Sequence, residues 1–340
     1  LAAGNPVIAR AHPLQLRTAR AAAAAVARAM ASTGAPASWF QLIDDPERDA
    51  GELLVRHPAI RAVGFTGSYA GGMALALIAA GRPVPIPVYA EMGSINPLFI
   101  TSGALVSRGD ELAIGLAASI TQGAGQFCTK PGLIVVPSND HGDTFVGRLA
   151  SLLGAVKPQQ MLSPSMAEAF SAGFLKRASI AQVRSLLEPV SDEPGLVGAG
   201  LLAMEASSLS PDHLCMDELF GPAAVVVRAD DLAEVAEKLP GSLTVTIHSD
   251  KEESAERSQL LRTAGRQAGR IIHNGFPTGV AVRPAMHHGG PFPASNHDWA
   301  TSVGLASADR FRRPLAIQSW PPTLVHDLVT LAPERGQNQS

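Results

Sequence analysis

The sequence predicts an α/β protein built around a largely parallel sheet. Short apolar, β-prone runs alternate along the chain with amphipathic or alanine-rich helical segments. This alternation is typical of βαβ units, in which a helix returns the chain to begin the next parallel strand. At 340 residues, 46% of them hydrophobic, the chain is long enough for about two domains, each with a sizeable core.

The first part of the chain is expected to alternate strands and helices, beginning with a strand. β-Branched and aromatic residues favour the strands, as in WFQLI, and alanine, the strongest helix former, dominates the first helix. A glycine turn, FTGS, ends the third strand, and a carboxylate ends the fourth. Strands are predicted at 6–11, 39–43, 61–68 and 86–93, and helices at 18–32 and 71–80.

A second α/β series follows in the middle and later part of the chain. Asp110 is the predicted N-cap of a helix over 110–123, because aspartate accepts hydrogen bonds from the free N–H groups of a first helical turn. Residues 276–293 are rich in Gly, Pro and His, which predicts a long ordered loop. Further strands are predicted at 133–137, 223–229, 243–249 and 270–274, and further helices at 161–190, 231–238 and 252–267.

The composition excludes several classes of partner. The formal net charge is −3 and there is no basic stripe or lysine-rich helix, so we expect neither nucleic acid nor an anionic membrane as a partner. The apolar runs are too short to span a bilayer. The two cysteines, Cys128 and Cys215, cannot form a disulfide framework and do not form a CxxC pair, so we expect a reducing, cytoplasmic setting.

Cys128 lies in a glycine-rich stretch, TQGAGQFCTKPGL, at residues 121–133. Glycines let the backbone approach a ligand closely, and free N–H groups in such a turn stabilise a thiolate and then an oxyanion. A small, buried, structural cysteine is nevertheless the commoner case for this residue type. Taken alone, the stretch leaves both interpretations open.

Other candidate residues occur where predicted strands end. Glu91, in YAEMGSINP, stands where open α/β sheets bind ligands and could act as a general base, although a solvated carboxylate is common there. Gly67 and Ser68, in GFTGS, open a helix whose free N–H groups suit a pyrophosphate, although they also fit a plain βα turn. Glu218, in DELFGP, could bind a ribose diol or belong to an ordinary acidic turn.

The histidines of the later loops raise the question of a metal site. The adjacent pair in HHGG does not have the i, i+4 spacing of helical metal ligands, and no cysteine or carboxylate cluster accompanies it in the sequence. We therefore expect no metal, and loop histidines bound to solvent or backbone. The histidines considered are His273, His287, His288 and His297.

Five motifs occur in order from residue 64 to residue 279: FTGS, EMGSINP, GQFCTKPG, ELFGP and NGFPTG. In this order they resemble the aldehyde dehydrogenase superfamily. Finer features, including QFCTKPGLIVV and NGFPTGVAVRPAMHHGGPFPAS, are similar to the branch of α-ketoglutarate semialdehyde (2,5-dioxovalerate) dehydrogenases and NADP-dependent fatty aldehyde dehydrogenases. The resemblance covers nearly the whole chain.

The resemblance implies a role for each candidate residue. Cys128 matches the nucleophile, which forms a thiohemiacetal and then a thioester, and Glu91 matches the base that activates the hydrolytic water. Gly67 and Ser68 match the phosphate turn of the cofactor site. Glu218 matches the ligand of the nicotinamide ribose, and the adjacent Phe220 is expected to pack close to the nicotinamide ring.

The resemblance also implies an aldehyde dehydrogenase-like fold, with a Rossmann-type cofactor domain and an α/β catalytic domain. We expect a partial cofactor domain at 1–93, a catalytic domain at 94–300, and an oligomerisation or bridging arm at 301–340 of a homo-oligomer. The family has a long segment before LAAGNP that includes an asparagine donating to the oxyanion, so we expect an N-terminally truncated chain. Loss of such a donor typically lowers turnover by about 10²–10³.

Two further expectations concern the cofactor and the substrate. Where the family usually has a lysine and then a ribose-binding glutamate, this chain has Arg10 and Pro13, so no carboxylate repels a 2′-phosphate. Arg10, or the nearby Arg17, could attract that phosphate, which favours NADP over NAD. Arg283, in the loop VAVRPAMHHGG, is the candidate anchor for a distal carboxylate of the substrate, although it could be a surface arginine.

The favoured activity is oxidation of 2,5-dioxovalerate, a small-molecule aldehyde, to 2-oxoglutarate. A fatty aldehyde dehydrogenase and a non-catalytic dehydrogenase scaffold are the alternatives. An acylating or acyl-phosphate reductase is disfavoured, since such relatives usually lack the hydrolytic glutamate that Glu91 matches.

Overall fold

The structure, a computed structural model, describes residues 1–45, 49–190 and 193–321, and these form two compact units. The smaller unit comprises Leu1–Val63, Leu77–Pro87 and the described residues from Ala306 onward. The larger unit comprises Gly64–Ala76 and Val88–Leu305. The expected domains at 1–93, 94–300 and 301–340 stay a prediction, and residues 322–340 of the expected arm lie outside the described residues.

The described residues contain strands and helices in an alternating order. The strands are β1 (Val7–Arg10), β2 (Phe40–Ile43), β3 (Val63–Thr66), β4 (Val88–Glu91), β5 (Leu98–Ile100), β6 (Leu133–Pro137), β7 (Gln159–Gln160), β8 (Arg184–Leu187), β9 (Leu196–Val197), β10 (Gly200–Glu205), β11 (Ala223–Ala229), β12 (Ser242–His248) and β13 (Ala268–His273). The helices are α1 (Leu16–Thr33), α2 (Asp49–Arg56), α3 (Tyr69–Ala80), α4 (Ser102–Thr121), α5 (Asp140–Gly154), α6 (Pro164–Ala178), α7 (Leu232–Glu237) and α8 (Ser254–Ala264).

The smaller unit is organised around the parallel pair β1–β2, with Val7 opposite Phe40. The alanine-rich helix α1 ends at Gly34, whose left-handed backbone (φ 71°) allows its N–H to cap the last turn. The guanidinium of Arg82 donates to the carbonyls of Val55, His57 and Ile60, which fixes the turn after α2.

The larger unit is built on a seven-stranded sheet in the order β13-β12-β5-β6-β11-β10-β8. All neighbouring strands are parallel except β8, which pairs antiparallel with β10 at the edge. Parallel strands are covered by helices on both faces and therefore read as continuous apolar runs. The sequence LIVVP of β6 is such a run, and all of its residues are buried.

The sheet separates two hydrophobic cores. Side chains alternate between faces along a strand, so Leu133 and Val135 of β6 enter one core while Ile134 and Val136 enter the other. Helices α6, α7 and α8 cover the first core, with Phe174 and Leu260 among their fully buried side chains. Helices α4 and α5 cover the second core.

Most predicted strands are confirmed to within two or three residues, but the helix predictions contain two errors. Asp110 is not an N-cap, because α4 begins eight residues earlier, at Ser102, where Thr101 caps it by accepting from the N–H of Ala104. Asp110 instead follows a local break in α4 at Arg108 (φ −144°). Residues 161–190 are not one helix, because α6 ends at Ala178 and the chain continues into β8.

Strands β5, β7, β9 and β10 and helices α2 and α5 were not predicted. Within the described residues, no helix is both long enough and apolar enough to cross a membrane.

Candidate active site

Glu91 is the last residue of β4 and its carboxylate is held by side chains from the later loops. The hydroxyl of Ser302 donates to Oε2 over 2.6 Å, and Nε2 of His288 lies 3.1 Å from Oε1. The side chain is buried, which by itself raises the pKa of Glu91. The hydrogen bonds and charge of His288, together with hydrogen bonds from Ser302 and Cys128, outweigh burial and bring that pKa below its usual value.

Cys128 follows α4 through a tight left-handed turn. Gly123, Ala124 and Gly125 have φ values of 56°, 55° and 65°, and a Cβ on Gly125 would lie 2.3 Å from the carbonyl carbon of Gly221. Glycine is therefore required at Gly125 both by conformation and by the close approach of the neighbouring backbone. The turn brings Sγ of Cys128 to 3.4 Å from Nε2 of His288.

A hydrogen bond from the Asn96 side chain holds the backbone carbonyl of Cys128 in place. The Asn96 side-chain N–H₂ donates to the carbonyls of Cys128 (2.8 Å) and Lys130 (3.0 Å). Its Oδ1 accepts from the backbone N–H and the hydroxyl of Thr244 on β12 and from the Ser94 hydroxyl. Asn96 thus links the cysteine loop to the sheet, and its amide is engaged with backbone carbonyls and not with the thiol.

The resting thiol of Cys128 is hard to ionise. Burial, followed by the negative charge of Glu91 and a hydrogen bond to it, raises the pKa of Cys128 to about 12. The charge of Glu218 also contributes to this rise. At neutral pH the cysteine is therefore a thiol, so its use as a nucleophile requires a neighbouring group that takes the proton.

His288 is the residue of this site that sequence reasoning missed. Its side chain is 5% exposed, its backbone N–H donates to the Thr301 hydroxyl, and Nε2 contacts both Cys128 and Glu91. The expectation of a loop histidine bound to solvent or backbone is therefore wrong for His288. The local sequence HHGG gave no signal, because the contacts join residues 160 and 197 positions apart.

The same three side chains form a compact donor cluster. The sulfur of Cys128, a ring nitrogen of His288 and a carboxylate oxygen of Glu91 all lie within 4.8 Å of one another. The sequence-based reasoning that no cysteine or carboxylate accompanies these histidines is thus wrong for His288. For His273, the structure gives a different partner, the hydroxyl of Ser249 at 3.0 Å.

Glu218 lies beside Gly93, which follows Glu91 by two residues, and is therefore close to this cluster. A Cβ on Gly93 would come within 2.9 Å of Oε2 of Glu218, so a glycine at this position leaves room for the carboxylate. Burial raises the pKa of Glu218 to about 7, against the opposing charge of Lys130 and a hydrogen bond from the backbone of Ser94. Glu218 is therefore a carboxylate that changes charge near neutral pH.

The loop that carries Glu218 is held by two buried cations. The ammonium of Lys130 donates to the carbonyls of Leu219 (3.2 Å) and Ala223 (2.7 Å). The guanidinium of Arg177 donates to the carbonyls of Asp217 (3.1 Å) and Glu218 (3.4 Å). Sequence reasoning did not single out either cation.

The remaining predicted cofactor residues lie in different places. Gly67 and Ser68 form the turn between β3 and α3, where the Ser68 hydroxyl accepts from the N–H of Gly71. A Cβ on Gly67 would lie 2.6 Å from the ring of Phe65, which accounts for the glycine on steric grounds. Phe220 is partly buried within the Glu218 loop. Arg10 ends β1 in the smaller unit.

Two arginines of the larger unit are relevant to an anionic substrate. Arg283, the predicted anchor, has an exposed side chain. Arg270, on β13, is half-buried and donates to the carbonyls of Pro277 and Gly279, and the N–H of Gly279 donates to the hydroxyl of Thr129, next to Cys128. Burial lowers the pKa of Arg270, and a negative charge on Cys128 opposes that shift. Its Nε has no hydrogen-bond partner among the described residues.

The arrangement suits covalent catalysis at a carbonyl carbon. Cys128 supplies a nucleophilic atom, and Nε2 of His288 contacts both the thiol and the carboxylate of Glu91. A nucleophile, a base and a group that orients the base are the components by which such sites are recognised.

Comparison with known proteins gives a consistent result. The profile described as the aldehyde dehydrogenase family matches residues 1–291. The chain is 43% identical over 329 residues to alpha-ketoglutaric semialdehyde dehydrogenase 2 of Azospirillum brasilense, covering 96% of this chain and 63% of that protein. It is 38% identical over 340 residues to alpha-ketoglutaric semialdehyde dehydrogenase of Acinetobacter baylyi, covering 97% of this chain and 63% of that protein.

Solved structures share the fold. The crystal structure of an NAD-dependent aldehyde dehydrogenase from Sinorhizobium meliloti superposes with a TM-score of 0.74 and 23% identity, covering 92% of this chain and 63% of that chain. The chain thus spans 63% of the length of both curated relatives and of this structural neighbour.

Proposed function

The chain belongs to the aldehyde dehydrogenase family, and on this basis we propose that it oxidises an aldehyde to a carboxylate with a nicotinamide cofactor. The observation that carries the proposal is the contact series from Sγ of Cys128 through Nε2 of His288 to Oε1 of Glu91. Covalent capture of the aldehyde splits the oxidation into two easier steps, formation of a thioester and its hydrolysis.

The first step is attack of Cys128 on the carbonyl carbon. Because burial and the charge of Glu91 raise the pKa of the thiol to about 12, the proton must leave as the carbon–sulfur bond forms. Nε2 of His288, 3.4 Å from the sulfur, accepts it, and the resulting imidazolium is stabilised by the Glu91 carboxylate at 3.1 Å. The chemistry that a bound nicotinamide would supply is acceptance of the hydride from the thiohemiacetal carbon.

The second step is hydrolysis of the thioester. Glu91 has a pKa below its usual value and is ionised at neutral pH, so it can remove a proton from the attacking water. The hydroxyl of Ser302 holds the other carboxylate oxygen and fixes its orientation. Water attack then releases the acid and returns Cys128 to its thiol form.

The residues around Glu218 fit the cofactor that this chemistry needs. A carboxylate can accept two hydrogen bonds from a ribose diol, and the missing Cβ of Gly93 leaves space beside Oε2 of Glu218. Phe220, in the same loop, would pack near the nicotinamide ring, and Gly67 and Ser68 would approach the pyrophosphate. In this proposal residues 1–93 belong to the cofactor-binding domain and 94–300 to the catalytic domain.

The proposed substrate is α-ketoglutarate semialdehyde (2,5-dioxovalerate), which gives 2-oxoglutarate. Support comes from the names of the two curated relatives, which are 43% and 38% identical to this chain. A fatty aldehyde is the alternative substrate, and it would need no cationic anchor. The proposal applies to the whole protein, which we further propose to be a homo-oligomer.

The direct test is an assay for reduced cofactor with 2,5-dioxovalerate. Wild-type protein should form NADPH or NADH, and Cys128→Ala should form none. Cys215→Ala is the matched control, because Cys215 is a buried cysteine that is not part of the donor cluster. Equal activity of wild type and Cys128→Ala would overturn the proposal, and folded wild type without activity would favour a non-catalytic scaffold.

The anchor for the distal carboxylate is the second question about the substrate. We propose a comparison of Arg283→Ala with Arg270→Ala, since Arg283 is exposed while Arg270 is half-buried and bonded to Gly279, which contacts Thr129 next to Cys128. Loss of the anchor should raise KM for 2,5-dioxovalerate and leave KM for a short neutral aldehyde unchanged. A variant that raises both KM values equally does not identify an anchor.

We propose NADP as the preferred cofactor, since the sequence has Arg10 and Pro13 where related chains usually have a lysine and a glutamate. Arg10→Ala should raise KM for NADP more than KM for NAD, because only NADP carries the 2′-phosphate. A wild-type protein with a higher kcat/KM for NAD than for NADP would contradict the preference.

A further inference from the structure

The cluster formed by Cys128, His288 and Glu91 has a second chemical property besides the proton transfers described above. Its three donor atoms are a sulfur, an imidazole nitrogen and a carboxylate oxygen, and all lie within 4.8 Å of one another. They come from three separate parts of the larger unit: the loop after α4, the loop after β13 and the end of β4. The fold therefore brings residues from three distant parts of the sequence to one place.

The spacing of the donor atoms fits one tetrahedral ion. Zinc binds thiolate at about 2.3 Å and imidazole or carboxylate at about 2.0–2.2 Å, so neighbouring ligand atoms of a tetrahedral site lie about 3.4–3.6 Å apart. In the cluster, the sulfur lies 3.4 Å from the imidazole nitrogen, and that nitrogen lies 3.1 Å from the carboxylate oxygen. The third pair, the sulfur and the carboxylate oxygen, lies within 4.8 Å, and in a bound site these two atoms would stand about 3.6 Å apart.

The supporting contacts also fit a metal site. Ligating carboxylates are usually hydrogen-bonded through their other oxygen, and the Ser302 hydroxyl donates to Oε2 of Glu91 over 2.6 Å. The carbonyl of Cys128 is fixed by Asn96, and the backbone N–H of His288 is fixed by Thr301. Glu91 and His288 are both buried.

We propose that Cys128, His288 and Glu91 bind one zinc-like divalent cation, and that the bound ion reversibly blocks the nucleophile. Mixed sulfur, nitrogen and oxygen donors favour zinc over magnesium or calcium, which take oxygen ligands. Three protein ligands leave a fourth position for water. On binding, the thiol proton passes to solvent and the sulfur–metal bond takes its place, so the sulfur is no longer available to an aldehyde.

Cobalt(II) tests the site without aldehyde or nicotinamide. Purified full chain, stripped with a chelator and dialysed, is titrated with Co²⁺, and the thiolate-to-cobalt charge-transfer band is followed in the near ultraviolet. Wild type should give one equivalent of this band, and Zn²⁺ should displace it. Cys128→Ser should abolish the band, while His288→Asn and Glu91→Gln should weaken cobalt affinity by at least about 10-fold.

Matched controls exist for two of the ligands. Cys215→Ser removes the other cysteine, and His287→Asn changes the histidine next to His288. Both variants should keep the band at wild-type affinity. Circular dichroism confirms that each variant is folded, and Ser302→Ala, which leaves all three ligands in place, should lower affinity by about 10–100-fold.

Alkylation locates the ion at the sulfur. Saturating Zn²⁺ should slow iodoacetamide labelling of Cys128, read by mass spectrometry of its peptide, by at least about 10-fold in wild type and have no such effect in His288→Asn. No band in wild type, a band that persists in Cys128→Ser, or unchanged affinity in His288→Asn would overturn the proposal. These readouts need no turnover, so their failure leaves the proposed oxidation intact, and the reverse also holds.

Discussion

At the scale of single residues, the surroundings of Cys128 keep its sulfur protonated. Burial and the charge of Glu91 raise the pKa of its thiol to about 12, and only the thiolate reacts with alkylating agents. In a Cys215→Ser background, the rate of Cys128 alkylation should therefore rise about tenfold per pH unit between pH 7 and pH 11. A free cysteine would instead level off near pH 9.

Glu91→Gln should make the same thiol more reactive at pH 8. The substitution removes the negative charge that raises the pKa of Cys128, so a larger fraction is thiolate at that pH. Stopped-time labelling with iodoacetamide measures the rate, and Glu205→Gln, which changes an exposed carboxylate on β10, should leave it unchanged. A slower rate in Glu91→Gln would mean that Glu91 acts on the resting thiol mainly as a proton acceptor.

The sequence led to two of the three residues in this cluster. Cys128 and Glu91 were identified only by the order of motifs around them, since each alone fits an ordinary structural residue. In the structure both side chains contact Nε2 of His288, but no local sequence motif identified His288 itself. Its position depends on a loop folding back over β4 after a separation of 197 residues, and local sequence does not encode such a return.

At the scale of elements, Asn96 connects the cysteine loop to the sheet. It is almost completely buried, its φ is 49°, and its amide satisfies backbone groups of Cys128, Lys130 and Thr244. Each buried polar group left without a partner costs about 1–3 kcal/mol. Asn96→Ala should therefore lower the free energy of unfolding by about 3 kcal/mol or more, measured by urea denaturation.

Asn139 provides a matched comparison for that change. It is the N-cap of α5: its side chain accepts from the N–H of Gly142 and donates, in an exposed hydrogen bond, to the hydroxyl of Ser102. Asn139→Ala should cost about 1 kcal/mol, the usual value for loss of a cap. If both variants lose the same stability, the link between β12 and the cysteine loop contributes no more than a helix cap.

The loop around Glu218 depends on Lys130. Below about pH 7 Glu218 is protonated, so under the proposed function cofactor affinity should rise as pH increases through about 7. Lys130→Met removes the positive charge that lowers the pKa of Glu218 and frees the carbonyls of Leu219 and Ala223. The rise in affinity should then move to higher pH, and KM for the cofactor should increase more than kcat falls.

Fluorescence titration of the reduced cofactor between pH 6 and pH 9 measures this shift. Lys238→Met is the control, because Lys238, the C-cap of α7, pairs with Glu234 and not with Glu218. It should give the wild-type pH profile. Superimposable profiles for wild type and Lys130→Met would show that Lys130 does not control the charge of Glu218.

Elements were predictable where one signal dominated. Strand β6 and strand β11 have the bounds that their apolar runs predicted, because central parallel strands are buried on both faces. Strand β5 is only three residues long and follows Pro97, so its sequence alone is too short to distinguish from a loop. Strand β8 was absorbed into a predicted helix, because its β conformation depends on pairing with β10.

At the scale of the whole molecule, the seven-stranded sheet determines which core side chains affect one another when one of them is truncated. Val135 and Val136 are neighbours on β6 and both are fully buried, yet they belong to different cores. Val135 and Val227 lie on different strands, β6 and β11, yet they are paired in register and share one core. In the first pair, residues adjacent in sequence therefore lie in different cores, and in the second pair, residues distant in sequence share one core.

The two pairs should therefore differ in whether the stability losses of their single substitutions add up. Each of Val135→Ala, Val136→Ala and Val227→Ala should cost about 2–3 kcal/mol, from lost burial and the cavity left behind. The double variant Val135→Ala/Val136→Ala should be additive within about 0.5 kcal/mol, because the sheet separates the two cavities. The double variant Val135→Ala/Val227→Ala should deviate from additivity by about 0.5–3 kcal/mol, because its cavities merge in one core.

Urea denaturation of the larger unit, followed by circular dichroism, measures both double-mutant cycles. A coupling energy that is larger across the sheet than within one face would mean that the sheet backbone, and not the side-chain cores, transmits the strain.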